Sequence, residues 1–363
     1  MGDSRVRIDS LTIRNYRGIS ECNLVFRRPV ADGKPDVFVL GSRNGVGKTS
    51  ILECAAFLLV AVGLKKRQFR MDILRRFEPE VDFPDLLIRA GGDKANVSGE
   101  ISVGCETVHV ALEFLRNGIV RVDGDFFDRA LPVKTMTEDA RSAEEFYRMI
   151  AGMASNPFLN NSFLFFHGYR KVQEGRTDLG VMLHGPDDGP RGFMRRTEGT
   201  VSAFKIAVLK NMMGEGRVLE LDADDNPALV REKLDWIVRT YAGVAFAKLK
   251  LQKDSSLDFR VVHLNVPDEK NASFPFDSLS SGQKEIIATL FLIWKSTHDR
   301  PSVVFIDEPE LHLNPEWHQG LVSTLFKLAP ENQYIMATHS EDIMASVSSS
   351  SRILLDAETE VGA

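Results

Sequence analysis

The chain has 363 residues, which accommodates one large domain or two moderate ones with an ample core. With 43% hydrophobic and 26% charged residues, it is composed like a folded globular protein and unlike a disordered or fibrous one. A formal net charge of −6 excludes a surface that attracts polyanions everywhere, so nucleic-acid contact would need a local basic patch. The three scattered cysteines, Cys22, Cys54 and Cys105, form no CxxC pair. Neither a zinc site nor a disulfide framework is indicated, which fits a reducing compartment.

In chain order, "RVRIDSLTIRNYRGISECNLVF" alternates apolar and polar residues and predicts strand, turn, strand. "DVFVLGS" at 36–42 predicts a compact apolar strand running into a glycine loop. The helix expected over 49–62 is apolar on nearly all sides, as for one packed against a sheet and covered from outside. Its run "ILECAAFLLVAVG" is interrupted by Glu53 and is too short to span a bilayer. With no apolar leader at the N-terminus, the expectation is a cytoplasmic protein with no membrane segment.

"ANVSGEISVG", "TVHVALEFL" and "GIVRVDG" predict an antiparallel sheet. Residues 127–265 are expected to form an inserted, largely helical lobe, with a helix at "DARSAEEFYRMIAGM" and a loop at "HGPDDGPRG". A helix over 226–243 is signalled by Asn226 as cap, Pro227 at its first position and Gly243 at its end. The strands "FAKLKLQ" and "LDFRVVHLNV" follow, and from 266 onward helix and strand alternate as in α/β packing on a parallel sheet. The fold class is therefore α/β, with a mixed sheet, an antiparallel β subdomain and an inserted lobe; 1–126 and 266–363 form the two parts of one head.

"GSRNGVGKTS" at 41–50 lies between a strand and a helix, as a phosphate-binding loop requires. Asn44, Gly45, Val46, Gly47, Lys48, Thr49 and Ser50 can wrap a nucleotide's phosphates in backbone N–H groups. Lys48 supplies a point charge and the Thr49 hydroxyl a ligand for Mg²⁺. The strict pattern wants glycine at position 42, where this chain has Ser42.

"SVVFIDEPE" at 302–310 is a buried strand whose acids emerge at its C-terminal end, where ligands bind in open α/β sheets. Asp307 is placed to hold Mg²⁺, and Glu308 to orient and deprotonate an attacking water. "ATHS" ends another apolar strand, and a parallel arrangement brings His339 beside Glu308 to meet developing charge. "FDSLSSGQKEII" sets Ser280, Ser281, Gly282 and Gln283 at the mouth of a helix. That turn is either a second anion-binding site or an ordinary serine N-cap.

Taken in chain order, the glycine loop, the LSSGQ turn, the Asp-Glu strand end and the histidine resemble the signature set of the ABC-class ATPases. The resemblance implies ATP and Mg²⁺ as cofactors, with catalysis carried by Glu308, His339 and Lys48. It further implies that Ser280 and Gly282 cap the ATP held by a second copy, giving a homodimer closed through an ATP sandwich, or a higher oligomer.

Within the class the chain is similar to the soluble RecF, SMC and OLD-like branch. The Asn-aromatic-Arg turn of "LTIRNYRGISECNLVF" implies that Arg17 approaches the phosphates. Lys48 and Leu279 lie 231 residues apart, leaving room for an inserted lobe, and "DEPELHLNPEWHQGL" with "MATHSEDIM" matches OLD-like wording. The chain ends 24 residues after His339, so no Toprim nuclease domain is expected. A stand-alone ATPase acting with a separate effector such as a nuclease, as in Septu-type anti-phage systems, is the implied function; a RecF-like repair ATPase that binds DNA is the alternative.

In the same branch a sensor loop reads the γ-phosphate. "FLFFHGYRKVQEGR" resembles it, with Tyr169, Arg170 and Gln173 as candidates beside a purely structural reading. The basic stretch "LKKRQFRMDILRR" offers Lys65, Lys66, Arg67 and Arg70 either as DNA contacts or as a solvated helix face.

Overall fold

The computed structural model describes residues 5–29, 35–42, 47–64, 67–70, 83–128, 163–168, 177–178, 208, 227–251, 256–264, 273–299, 301–311 and 313–355. The chain divides into two compact units, the first comprising Met1–Tyr169 with Ser296–Ala363 and the second Arg170–Lys295.

The first unit opens with β1 (Val6–Tyr16), β2 (Ile19–Val25) and β3 (Asp36–Gly41), then α1 (Lys48–Leu64), β4 (Gln68–Arg70) and α2 (Phe83–Leu87). β5 (Lys94–Val103), β6 (Glu106–Leu115), β7 (Ile119–Gly124) and β8 (Phe163–Phe166) follow. In the second unit lie β9 (Thr177–Asp178), α3 (Pro227–Ala242), β10 (Val244–Leu251), β11 (Ser256–His263), β12 (Phe274–Pro275) and most of α4 (Ser281–Thr297). The chain returns to the first unit with β13 (Val303–Asp307), α5 (Pro315–Leu328), β14 (Gln333–Thr338), α6 (Glu341–Ala345) and β15 (Arg352–Leu354).

Two sheets organise the first unit. One is antiparallel, in the order β2-β1-β5-β6-β7-β4. The other is parallel throughout, in the order β15-β3-β14-β13-β8. α1 explains why they sit together. Residues 51–62 are buried at every position, the pattern of a helix that is apolar all round. Its side chains join those of both sheets in one continuous core, in which Tyr16, Phe57 and Phe114 form a trio with ring centroids 5.9–6.2 Å apart.

At one edge Gln333 couples the two sheets directly. Its amide accepts from Ile8 N at 2.9 Å and donates to Ile8 O at 2.8 Å, standing in for a neighbouring strand. β1 carries a register irregularity between Ile8 and Ser10 in its pairing with β5.

The sequence placed residues 127–265 together in one lobe, but the structure puts β8 in the parallel sheet. Its four apolar residues pair with β13 residue for residue, from Val303 with Phe163 to Ile306 with Phe166. The second unit, described by itself, packs α3 against β10 and stacks Phe259 on Phe276 with centroids 4.9 Å apart. α3 ends at Gly243, whose φ of 62° is the left-handed cap that glycine adopts without strain. The helix expected at 139–153 and the loop at 184–192 lie outside the described residues. No helix among the described residues is long and apolar enough to cross a membrane.

Candidate functional site

β3 delivers the chain to the loop, and α1 carries it away. Gly47 has a φ of 84°, and a Cβ there would stand 3.0 Å from the Ile19 side chain, so glycine is required twice over. Lys48 is buried, and its ammonium lies 3.0 Å from Ser42 Oγ, 3.3 Å from Ser42 O and 3.0 Å from His339 Nε2. An ammonium only donates, so the ring nitrogen facing it accepts. The departure from the strict loop pattern at Ser42 thus supplies an extra partner for the lysine. Burial pulls the Lys48 ammonium below the ordinary lysine range, while Glu308, Asp307 and Glu310 oppose that shift. Ser50 is buried in the first turn of α1; Asn44, Gly45 and Val46 lie outside the described residues.

The adjacent parallel strands β13 and β14 bring the acids and the histidine to the same end of the sheet. Thr49 Oγ1 donates to Asp307 Oδ2 at 2.9 Å. A hydroxyl and a carboxylate, both hard oxygens, fit the small share of ligands that a protein gives Mg²⁺ when phosphates and water supply the rest.

Glu308 has a φ of 48°, a left-handed backbone that costs a non-glycine residue roughly 1–2 kcal/mol. Its N–H donates to Ala337 O at 2.8 Å, which ties the strained peptide to β14. The carboxylate reaches to 3.8 Å from His339 Nε2. On its other side the backbone of Gly168 approaches so closely that a Cβ would meet Glu308 Oε2 at 3.0 Å. Gly168 sits just before the expected sensor residues and had not been picked out from sequence, although the Phe-Phe-His-Gly run is the signal that could have found it.

Arg17 shares the other strained backbone of the site, with a φ of 48° in the two-residue turn between β1 and β2. Its guanidinium pairs with Glu53 Oε2 at 2.7 Å, and Tyr16 OH donates to the same oxygen at 3.4 Å. Glu53, which the sequence presented only as an interruption in an apolar helix, is thus the anchor of Arg17. Burial raises the Glu53 carboxyl to about 7, outweighing the lowering influence of Arg17.

A pH dependence follows from this group. The folded chain holds the Glu53 proton up to about pH 7, whereas the unfolded chain releases it near 4.5. Between those values the folded state binds more protons, so stability falls as pH rises, by about 3 kcal/mol in all. Glu53→Gln removes this loss. The melting temperature of the variant is expected to climb relative to the wild type between pH 5 and pH 7.5; a constant gap across that range would refute the assignment.

In the second unit, Ser280 and Gln283 form a reciprocal capping box at the start of α4. Gln283 N donates to Ser280 Oγ at 3.2 Å, and Ser280 N donates to Gln283 Oε1 at 3.1 Å. Ser280 and Ser281 are exposed and Gly282 is buried. The first turn of this 17-residue helix leaves backbone N–H groups without helical acceptors, the arrangement that favours an anion.

Tyr169, Arg170 and Gln173 lie outside the described residues, as do Lys65 and Lys66. Arg67 is exposed, and Arg70 belongs to β4, so residues 68–70 pair with β7 as an edge strand and do not form the face of a helix.

The fold and this arrangement define a class. The chain is similar to the SMC head in the crystal structure of the SmcHead bound to the C-winged helix domain of ScpA, with a TM-score of 0.51 at 14% identity, covering 94% of this chain and 91% of that one. It is similar also to the Pyrococcus furiosus Smc head domain with an extended coiled coil, with a TM-score of 0.50 at 12% identity, covering 94% and 92%. At such identities the likeness is one of fold, that of an SMC head domain.

Within that class, residues 219–345 match the family described as "AAA domain, putative AbiEii toxin, Type IV TA system". "Retron Ec83 probable ATPase" from Escherichia coli is 32% identical over 120 residues, 30% of this chain and 21% of that one. "Retron Vc95 probable ATPase" from Vibrio cholerae serotype O1 biovar El Tor is 34% identical over 101 residues, 25% of this chain and 20% of that one. The matches thus span about a fifth of the length of these relatives. The expected resemblance is borne out as an SMC-type head fold with local matches to probable ATPases.

Proposed function

We propose that this protein is an ATP-binding and ATP-hydrolysing subunit. Two copies close head to tail over two Mg-ATP molecules, and the nucleotide state governs a separate effector, such as a nuclease, in anti-phage defence. The observation that carries this reading is the meeting of Lys48, the Thr49–Asp307 pair, Glu308 and His339 at the ends of three neighbouring parallel strands. The retron relatives support the defence context.

Lys48 and the glycine loop hold the β- and γ-phosphates, and Arg17 lies ready to leave Glu53 for the same charge. Mg²⁺ held through Thr49 and Asp307 would neutralise charge shared by those phosphates. Glu308 aligns a water and takes its proton as the new O–P bond forms. The bond from the γ-phosphorus to the bridging oxygen breaks, and ADP leaves. His339 donates toward the charge that builds on the γ-phosphoryl oxygens once Lys48 has turned to them. Ser280, Ser281, Gly282 and Gln283 of one copy complete the site of the other, where free N–H groups of the first turn of α4 meet the γ-phosphate.

Complementation tests the shared site. A Lys48→Ala chain and a Ser280→Arg chain are each expected to lack ATP turnover, because each spoils both composite sites of its homodimer. Mixed, they form dimers with one intact site and recover part of the wild-type rate. A silent mixture, or a Ser280→Arg chain as active as the wild type, removes the head-to-tail sandwich.

A further inference from the structure

Glu310, the second acid after Asp307, has no part in the chemistry described so far. It is held on a tight turn by Leu311 N donating to Glu308 O at 3.1 Å and Leu313 N donating to Glu310 O at 3.0 Å. From that turn its carboxylate grips the histidine loop with both oxygens. Oε2 accepts from Thr338 Oγ1 at 2.6 Å, and Oε1 accepts from the backbone N–H of His339 at 2.6 Å. Thr338 Oγ1 in turn accepts from Ser340 N at 2.9 Å, and the Ser340 hydroxyl accepts from Ile343 N at 3.3 Å to cap α6.

One carboxylate therefore satisfies two successive donors at the end of β14 and fixes a third through Thr338. Hydrogen bonds to an ionised acceptor are short and roughly twice as strong as neutral ones, so this clamp is stiff. Together with the bond from Glu308 N to Ala337 O, it locks the turn bearing the proposed base to the loop bearing His339.

We propose that Glu310 is a positioning residue for ATP hydrolysis: its bidentate grip on Thr338 and His339 sets the imidazole against Glu308 and Lys48, so that the two strand ends act as one rigid unit. The inference rests on the hydrolase reading given above. Both carboxylate oxygens of Glu310 are engaged by the histidine loop, so it acts through His339. Misplacing a group by about 1 Å can cost on the order of 10²-fold in rate, and substrate binding, which depends on the glycine loop and Lys48, is untouched.

Turnover and ATP affinity by calorimetry, measured on the full chain for the wild type, E310A, E310Q, T338V, H339A and E310A/H339A, provide the test. E310A is expected to lose about 10²-fold in kcat with unchanged ATP affinity. E310Q keeps one carbonyl acceptor for His339 N and falls between E310A and the wild type, and T338V, which keeps that same bond, does likewise. The double variant is expected to be no slower than H339A alone, because both changes remove the same group from the transition state.

Wild-type kcat in E310A, or multiplication of the two defects in the double variant, overturns the inference. Loss of ATP binding in both E310A and E310Q also overturns it, since Glu310 would then hold the fold. A wild-type chain that binds ATP without hydrolysing it removes the hydrolase reading, and this inference with it.

Discussion

Replacing Glu308 with Gln is expected to lower ATP turnover by roughly 10²–10⁴-fold, the range that a positioned general base supplies, while leaving ATP affinity where it was. The substitution preserves shape. The main-chain N–H of residue 308 still donates to Ala337 O, and the left-handed backbone at φ 48° is no worse for Gln than for Glu. Lys48, Thr49 and Asp307 keep their contacts, so the phosphate and metal side of the site is intact. What disappears is a proton acceptor. With hydrolysis blocked and binding retained, the closed dimer should outlast purification, and gel filtration with ATP and Mg²⁺ should show a dimer that the wild type holds only briefly. Wild-type turnover in the Gln variant would take Glu308 out of its role; loss of nucleotide binding would mean that the carboxylate serves the architecture of the loop.

The order of elements was legible because each signal is local. Alternation gave β1, β2 and the strands β5 to β7; an apolar run gave α1; Pro227 and Gly243 bracketed α3. The ends of β3, β13 and β14 were legible for the same reason, since an apolar run followed by Gly, Asp or Thr-His marks where a buried strand surfaces.

β8 was not legible as a member of the parallel sheet. Four apolar residues are as consistent with a buried helical turn as with an edge strand, and only pairing with β13 decides between them. The roles of Glu53 and Glu310 were equally hidden, because each depends on a partner distant in sequence: 36 residues separate Glu53 from Arg17, and 28 separate Glu310 from Thr338. The positive φ at Arg17 and Glu308 leaves no mark in sequence either, because neither residue is the glycine or asparagine that usually announces it.

Removing the Asp36 carboxylate is expected to produce the largest loss of stability, toward the lower end of the ~3–5 kcal/mol typical of a broken buried ion pair. Asp36 begins β3 and Arg7 lies on β1, so the pair pins the antiparallel sheet to the parallel one; both side chains are only 4% exposed. Arg7 Nε donates to Asp36 Oδ2 at 2.8 Å and Nη2 to Oδ1 at 3.2 Å, while Nη2 also reaches Phe26 O at 2.7 Å. Asp36→Ala leaves that guanidinium buried, with Asp9 as its remaining acidic partner.

The cost arises from the unpaired charge, not from the absence of a charged pair as such. Arg7→Met with Asp36→Leu should therefore recover part of the stability by replacing two buried ions with apolar groups of similar volume, while Asp9 keeps Arg28 and Ser102 and Arg5 keeps Glu331. Urea unfolding followed by circular dichroism compares the three chains. A loss under about 1 kcal/mol in Asp36→Ala, within the reach of a surface pair, would contradict this assignment, as would a double variant no better than the single. Because Asp36 begins β3 and Ser42 follows its last residue, about 17–20 Å away, turnover of the folded fraction should be unchanged. That separates the staple between the sheets from the chemistry at their other end.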